Sequence, residues 1–452
     1  MGLATVEQIL WIVGPVKRAI DIVTTLRPAP VGKKVIGVRP SRAVKGGSLI
    51  PACVALIGII MPSQVQLFVG EAKFTGARIG VILLFFPAIF MWCQRGRRAV
   101  WTDFFACATA AWMIVAAVST GGWGSLPSAA GAETLEFIGG YIIARGFFFE
   151  PTALDSFIRV LRAFAIVAIF LALADTVSGR WITQDIAGAI FHVSPPGPVY
   201  REGIVRATST FDHPILFGTF CSLVAAVLLY STLSSLRRIV SVGLCFLGCL
   251  LSLSSAALIS FFIVLALYIY DRLMSRYSWR WHVVWLGLTA FLGALFLLSN
   301  HPIGWLLSHL TLDPQSGYFR LLIWDAAFIK IGQSPLTGFG FNLLNHEILD
   351  TTVDSVWLLS SLRFGVPMIV LLLLTNVSAL WPGRQRAKKM RVDSSMDELR
   401  RGFTIVLLMF MFTGLTVHFW NFMWIFWGLC IGIRASLRED QLKSRVRANP
   451  GW

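Results

Sequence analysis

Long apolar stretches, almost free of charge, alternate along this chain with short polar segments. Most are about 16–22 residues long, the length that a helix needs to cross roughly 30 Å of hydrocarbon. Their apolar residues are continuous instead of alternating, so the stretches predict helices and not strands. The pattern therefore predicts an all-α, polytopic integral membrane protein with about twelve transmembrane helices, at residues 48–66, 79–94, 103–120, 134–149, 160–178, 213–232, 239–253, 255–270, 283–299, 355–375, 403–417 and 419–434.

The composition and the distribution of charge agree with a membrane protein. Of the 452 residues, 56% are hydrophobic and only 14% are charged, against about 25% charged residues in a soluble domain. A net charge of +16 could indicate a nucleic-acid partner, but its distribution argues against one. With the N-terminus inside, 31 of the 39 Lys and Arg fall in segments predicted to lie inside, as the positive-inside rule requires. The expected partners of this basic surface are anionic membrane lipids and not nucleic acid.

The same pattern divides the chain into three regions. Residues 1–47 form a basic cytoplasmic N-terminal arm, residues 48–436 the transmembrane domain, and residues 437–452 a basic cytoplasmic tail. Two long segments are predicted to lie outside, at about 179–212 and at 300–354, the second between spans 9 and 10. We expect function there, because long polar segments that fold back over the spans can build an irregular site.

The cysteines indicate neither a metal site nor a disulfide framework. They lie mostly inside predicted spans, where a cysteine behaves as a small hydrophobic residue, and their spacing is not typical of metal ligands. The seven are Cys53, Cys93, Cys107, Cys221, Cys245, Cys249 and Cys430. We therefore expect these cysteines to be free thiols that bind no metal.

The first outside segment ends in "YREGIVRATSTFDHPILFGTF". Arg201 and Arg206 precede a polar turn, and Asp212 and His213 stand before the Pro that begins the next span. Proline is common at a helix start and Asp can cap one, so a purely structural role for Asp212 stays open. Arginines outside are rare in this chain, and guanidinium groups bind phosphate with two parallel hydrogen bonds. Arg201 and Arg206 are therefore candidates for phosphate binding.

The second outside segment contains "YFRLLIWDAAFIKI", whose periodicity predicts an amphipathic helix on the outer membrane face. Its predicted apolar face consists of Phe319, Leu322, Ile323, Ala326 and Ile329. Arg320 and Trp324 form a second stripe at i, i+4. A structural role for Arg320, with the side chain extending to the lipid headgroups, is open beside a role in binding a lipid-linked phosphate.

One histidine and three acidic residues follow, close to the start of a predicted span. His346, Glu347, Asp350 and Asp354 precede it, and Arg363 lies inside it. A carboxylate at this position can act as a general base, although Asp354 could also cap the helix. An arginine that deep is expected to face the interior of the bundle or a wet cavity. An acid such as Asp354 or Asp175 is its expected partner if its role is structural.

Taken together in chain order, these segments resemble a superfamily of bacterial membrane glycosyltransferases. It comprises the O-antigen ligases, the O-antigen polymerases and the exopolysaccharide polymerases. The matching motifs are "RATSTFDHP" from Arg206 to Pro214, the Ser-rich patch "SLSSAAL" at 252–258, Arg320 to Trp324 followed by Pro335 to Gly340, and Asp354 and Ser355 with Leu358 and Gly365. By motif the resemblance covers residues 200–375, the ligase-like core, in which 300–354 would be the periplasmic catalytic loop. It implies a GT-C-like fold in the bacterial inner membrane, with the active site facing the periplasm.

The resemblance implies a metal-independent polymerase that needs no cofactor. The donor would be a glycan on undecaprenyl diphosphate and the acceptor a hydroxyl of another lipid-linked repeat, with a chain-length regulator or an export complex as a further partner. Arg206 and Arg320 would bind the diphosphate, with Arg201 and Arg363 in reserve, and Asp354 would take the proton of the acceptor. The remaining candidates for the base or for contacts with the acceptor are His346, Glu347, Asp212, His213 and Trp324.

Two departures from the family pattern leave alternatives open. Ligases carry a candidate catalytic His where this chain has Asp354, which favours a polymerase over a ligase that transfers glycan to lipid A–core. The Ser-rich patch often contains an Arg where this chain has Ser255. A lipid-linked oligosaccharide flippase is the alternative from another class. Transporters usually place ionisable residues near the midplane of the membrane, whereas the polar residues here concentrate in the two outer segments.

Overall fold

The computed structural model describes residues 49–69, 72–94, 97–125, 129–298, 314–381 and 394–448. The protein is mostly helical (74%) with little sheet. The helices in these ranges are α1 Ile50–Leu56, α2 Gly76–Gln94, α3 Trp101–Gly121, α4 Gly131–Phe147, α5 Pro151–Ser178, α6 Ile182–Phe191, α7 Pro214–Leu229, α8 Ser235–Leu251, α9 Ser255–Leu273, α10 Arg280–Leu298, α11 Pro314–Gln333, α12 Val356–Phe364, α13 Val366–Leu380, α14 Ser394–Thr413 and α15 Phe422–Ala448. Two antiparallel hairpins accompany them, β1 Gln66–Val69 with β2 Ala72–Thr75 and β3 Tyr200–Arg201 with β4 Ile204–Val205.

Apolar helices of membrane-crossing length confirm the coarse fold prediction. Within the described ranges, α2, α3, α5 and α9 are long and apolar enough to cross a membrane. Shorter apolar helices lie at Ile50–Ile59, in α7 and in α13. Every predicted span overlaps at least one helix, but twelve membrane crossings stay a prediction. The predicted arm at residues 1–47 lies outside the described residues, and α15 continues past the predicted boundary at 436.

Two predicted spans are interrupted. The first, 48–66, contains only α1 and a short 3-10 helix at Ile57–Ile59 before β1 begins. The span predicted at 355–375 divides into α12 and α13 at Gly365, whose φ is 79°. A Cβ at Gly365 would lie 1.9 Å from the carbonyl oxygen of Leu336. Glycine is therefore required here by both its left-handed backbone and its contact with the preceding loop.

Two helices form the centre of the bundle. All of α7 except Ile215 is buried, as expected for a helix that is apolar on every side. Helix α15 packs most closely against α4, and small residues make this approach possible. A Cβ at Gly140 would lie 2.3 Å from the carbonyl oxygen of Ile425, and a Cβ at Gly428 would lie 2.3 Å from that of Phe137. Such contacts are typical of helix pairs in membranes, where close backbone packing replaces the hydrophobic effect.

The two ends of the bundle differ in character. We call the end that carries both hairpins, α6, α11 and α12 the outer end, following the predicted topology, and the opposite end the inner end. At the inner end Arg145 is fully buried and pairs with Asp103 and Glu439 at 2.8 and 2.9 Å. Arg145 lies in the last turn of α4. Buried ion pairs thus join α3, α4 and α15 at the inner end.

Candidate functional site

The loop that carries Arg206 is fixed by a buried carboxylate. Asp175, at the end of α5, is fully buried and accepts hydrogen bonds from the backbone N–H groups of Ile182, Thr208 and Ser209 at 3.0, 3.3 and 2.8 Å. The indole of Trp181 donates to the carbonyl oxygen of Arg206 at 2.8 Å. These bonds join α5 and α6 to the loop before α7, so Asp175 positions this loop.

Arg201 and Arg206 both contact the turn between α8 and α9. Arg206 Nε donates to the carbonyl oxygen of Ser252 at 3.2 Å, and Arg201 Nη1 donates to that of Leu253 at 3.0 Å. The Ser-rich patch therefore supplies carbonyl acceptors, and Ser254 caps α9. Burial, with the positive charge of Arg201, lowers the pKa of Arg206 to about 10. Arg206 still carries its charge at neutral pH, and its half-buried guanidinium donates to a neutral carbonyl group.

His213 caps α7, a role that the sequence had suggested for Asp212. The His213 Nδ1 atom accepts the backbone N–H of Ile215 at 3.2 Å. Burial and the positive charge of Arg206 lower the pKa of His213 to about 4, while Asp354 opposes them. His213 is therefore neutral, and because its Nδ1 accepts a bond, the proton lies on Nε2. It can donate a hydrogen bond to a ligand, but it is a weak base.

Arg320 and Asp354 meet on the same side of the outer end. Arg320 Nε lies 3.7 Å from Asp354 Oδ2, which makes an ion pair but is too long for a hydrogen bond. Burial lowers the pKa of Arg320 and Asp354 counteracts this. Asp354 Oδ1 accepts the hydroxyl of Thr352 at 2.9 Å, and Ser355 caps α12 in its place. We call Arg206, His213, Arg320 and Asp354 the outer cluster, because the charges of Arg206 and Asp354 both act on His213.

The amphipathic helix α11 is present, and Ile323 of its predicted apolar face is buried against the protein. Ile323, Trp324, Ala327 and Ile331 pack in a small core with residues from 344 to 362. Phe319, Leu322 and Ile329, from the predicted apolar face, are exposed. Trp324 is only 8% exposed, so most of its side chain is packed in this core.

The turn before Asp354 is built around Asp350. Its carboxylate accepts the backbone N–H groups of Leu344 and His346 at 2.6 and 2.9 Å, and these bonds lower the pKa of Asp350. His346 Nδ1 lies 3.3 Å from the backbone nitrogen of Ile348, which donates to it. Glu347 is exposed. The structure thus gives His346 and Asp350 local structural roles in this turn.

Arg363 has a different partner from those expected. Its Nη1 atom lies 2.9 Å from Glu133 Oε2, at the start of α4, and its guanidinium lies 4.4 Å from the ring centre of Phe341. The expected partners Asp354 and Asp175 are engaged with Arg320 and with backbone N–H groups. Arg363 therefore ties α12 to α4, and its charge is compensated.

The turn between α14 and α15 was not recognised in the sequence as part of the site. Ser355 Oγ donates to the carbonyl oxygen of Gly414 at 2.9 Å, which places this turn against Asp354. The ring of Trp420 lies 6.1 Å from that of His213 and 4.9 Å from that of His418. Burial, with the charge of Arg363, lowers the pKa of His418 to about 3. Only the Trp and His in "VHFWN" could have indicated these contacts.

A second polar group lies beside the outer cluster. Asn421 donates from Nδ2 to Asp212 and accepts from Arg78 Nη2 at 3.4 Å. Arg78 Nε also lies 2.7 Å from Glu136 Oε1. Asp212 and Asn421 line a cavity of about 20 Å³, which is room for one water molecule. Asp212 is therefore held by Asn421 from the turn before α15, while His213 caps α7.

The outer cluster can bind an anion and accept a proton. It combines two half-buried guanidinium groups, a neutral imidazole that donates from Nε2, and a carboxylate that is 42% exposed. Guanidinium groups favour diphosphate oxygens, and the carboxylate can take a proton from a hydroxyl. No protein-family model matches the chain, and no curated protein matches it either.

Proposed function

We propose that this protein is a bacterial membrane glycosyltransferase of the polysaccharide-polymerase type. It transfers a glycan from undecaprenyl diphosphate to a hydroxyl of a second lipid-linked repeat, at the periplasmic face of the inner membrane. The observation that carries the proposal is the convergence of Arg206, His213, Arg320 and Asp354 at one end of an apolar helix bundle. These residues come from distant parts of the chain, and all four fall in the motifs that resemble this superfamily.

The two arginines stabilise the leaving group. As the bond between the anomeric carbon and the diphosphate oxygen breaks, negative charge grows on the diphosphate. Preorganised cations in a low-dielectric site stabilise such charge without the reorganisation that water requires. Arg206 is held on the carbonyl oxygen of Ser252, and Arg320 is held by Asp354. Both guanidinium groups keep unused N–H donors for phosphate oxygens, so the protein supplies the cationic charge that the reaction needs.

Asp354 and His213 act on the other side of the transfer. The acceptor hydroxyl attacks the anomeric carbon and gives its proton to Asp354, while the glycosidic oxygen leaves with undecaprenyl diphosphate. Asp354 is a better base than His213 because its carboxylate is partly exposed and does not cap a helix, whereas His213 Nδ1 is engaged. His213 instead donates its Nε2–H to an oxygen of the donor or the acceptor. A positioned base typically contributes about 10²–10⁴-fold in rate.

The proposal is tested with purified protein in proteoliposomes, supplied with undecaprenyl-diphosphate-linked repeats in the presence of a metal chelator. Products are resolved by gel electrophoresis. A ladder of longer lipid-linked glycans is expected. A chain-length regulator or export complex would change the length distribution of that ladder but not its formation.

Two other outcomes would replace the proposal. Transfer to an added lipid A–core acceptor without a ladder would make the protein a ligase that uses Asp354 in place of the His expected from the family. Movement of labelled lipid-linked sugar across the bilayer, with no transfer, would make it a flippase. Both assays use the same proteoliposomes, so one preparation distinguishes the three functions.

A further inference from the structure

A second group of arginines lies at the inner end, away from the outer cluster. Arg434 and Arg438 stand one turn apart on α15, and so they share a face of the helix. Arg434 Nε donates to Thr404 Oγ1 at 2.9 Å, and that hydroxyl donates to the carbonyl oxygen of Arg400 at 2.8 Å. We call Arg400, Arg434 and Arg438 the inner arginine cluster.

The charge of Arg434 has no acidic partner among the described residues. Its side chain is only 4% exposed, and its Nη1 atom is buried without a hydrogen-bond partner in those ranges. The charged groups that act on it are Arg400 and Arg438, both positive. Arg438 likewise has no acid acting on it in the described ranges. Asp397 and Asp440 act on Arg400.

The end of α13 compensates only part of this charge. Arg434 Nη2 contacts the carbonyl oxygen of Leu380 at 3.5 Å, and Arg438 Nη1 contacts that of Ser378. A helix C-terminus carries about half a negative charge, which cannot balance two guanidinium groups. A buried charge without a counter-ion is costly. By sequence, residues 382–393, which follow α13, contain five Lys or Arg and one Asp, so this segment offers little negative charge.

We propose that the inner arginine cluster binds a phosphate group, the chemistry that anionic phospholipid headgroups share with free phosphate. Guanidinium groups match phosphate oxygens in geometry as well as in charge. The positive-inside distribution places this end of the bundle at the headgroups of the inner leaflet. The cluster lies where α13, α14 and α15 meet, so a bound headgroup joins three helices. The site is independent of the glycan transfer proposed for the outer end.

The full-length protein, purified in detergent, provides the test. Phosphatidylglycerol, phosphatidylcholine and inorganic phosphate are each titrated, with retained lipid measured by native mass spectrometry and stability by the thermal midpoint. We expect phosphatidylglycerol to be retained and to raise the midpoint, and R438Q to weaken its binding by about tenfold or more. R237Q, at an exposed position near the start of α8, is the matched control and should bind as the wild type does.

The source of the phosphate is decided by the same titrations. Retention of phosphatidylglycerol that inorganic phosphate does not displace identifies a lipid headgroup. Protection by inorganic phosphate, lost in R438Q, identifies free phosphate at the same site. R434Q removes a buried group and can unfold the protein, whereas R438Q changes a side chain that is only partly buried. Unchanged binding of both probes in R438Q, or no binding by the wild type, would overturn the proposal.

Discussion

Arg320 and Asp354 face each other between α11 and the start of α12, with Nε 3.7 Å from Oδ2. The arginine side chain is 14% exposed and the aspartate 42% exposed. At this distance the carboxylate attracts the guanidinium but does not saturate its N–H donors. The pair therefore holds a cation and a base side by side, with both able to contact a ligand.

Removing either arginine of the outer cluster should stop glycan transfer. For Arg206→Ala and for Arg320→Ala we expect a loss of about 3 kcal/mol of transition-state stabilisation, roughly a hundredfold or more in rate. The proteoliposome assay measures this loss, and far-UV circular dichroism in detergent checks the fold. Arg320→Lys keeps the charge but loses the paired donors, so it should recover only part of the activity. Near-normal polymer from both Ala variants would remove the diphosphate role.

Asp354→Asn should lower the rate more than His346→Ala. The amide cannot accept a proton at neutral pH, so we expect a loss of about 10²-fold or more. His346 contacts only backbone groups of its own turn in the described structure, and its removal should act mainly on stability. The two variants are compared by rate and by thermal midpoint. A larger rate loss in His346→Ala would assign the base to His346.

Asp175 should act through Arg206 without touching the substrate. Asp175→Ala leaves three backbone N–H groups without their acceptor, each at a cost of about 1–3 kcal/mol when it stays buried. We expect a lower thermal midpoint and weaker binding of the donor, and Asp175→Asn should recover part of both. Asp155→Ala, at an exposed position near the start of the same helix, is the control. Equal donor binding in Asp175→Ala and Asp155→Ala would contradict the positioning role.

Gly365 should tolerate no side chain. Its φ of 79° costs a residue with a Cβ about 1–3 kcal/mol, and the added carbon would overlap the carbonyl oxygen of Leu336 at 1.9 Å. Gly365→Ala should therefore lower the thermal midpoint markedly. Gly243→Ala, in α8 with open space around the glycine, provides the comparison and should be neutral. A similar midpoint for the two variants would show that the break between α12 and α13 carries little energy.

Acid should destabilise the protein through its buried histidines. The pKa values of His213 and His418 are lowered from 6.5 to about 4 and about 3, so the unfolded chain binds protons that the folded chain does not. The free energy of unfolding should thus fall as the pH drops from 6.5 towards 4 and below. Thermal midpoints across this range measure the slope, and His418→Gln should flatten it. A midpoint independent of pH in this window would disagree with buried neutral histidines.

Local pattern predicted the helices and the motifs, because continuous apolar runs need no tertiary context to be recognised. It did not predict which face of α11 is buried. Two stripes of α11, one with Ile323 and one with Trp324, are apolar enough to be buried, and residues from 344 to 362 pack against both. The partner of Arg363 was also beyond the sequence, since Glu133 is 230 positions away. The sequence suggested Asp212 and Asp354 as helix caps, but their neighbours His213 and Ser355 form the caps. Side-chain geometry decides this difference of one residue.

The most direct test of glycan transfer at the outer cluster is the rate of undecaprenyl diphosphate release in proteoliposomes, for the wild type, Arg320→Ala and Arg180→Ala. Arg180 is an exposed arginine of the same outer end, so its removal changes the outer charge but not the cluster. We predict release coupled to longer glycans in the wild type and in Arg180→Ala, and a loss of roughly a hundredfold in Arg320→Ala. Equal rates in all three proteins, or no release from the wild type, would contradict the account.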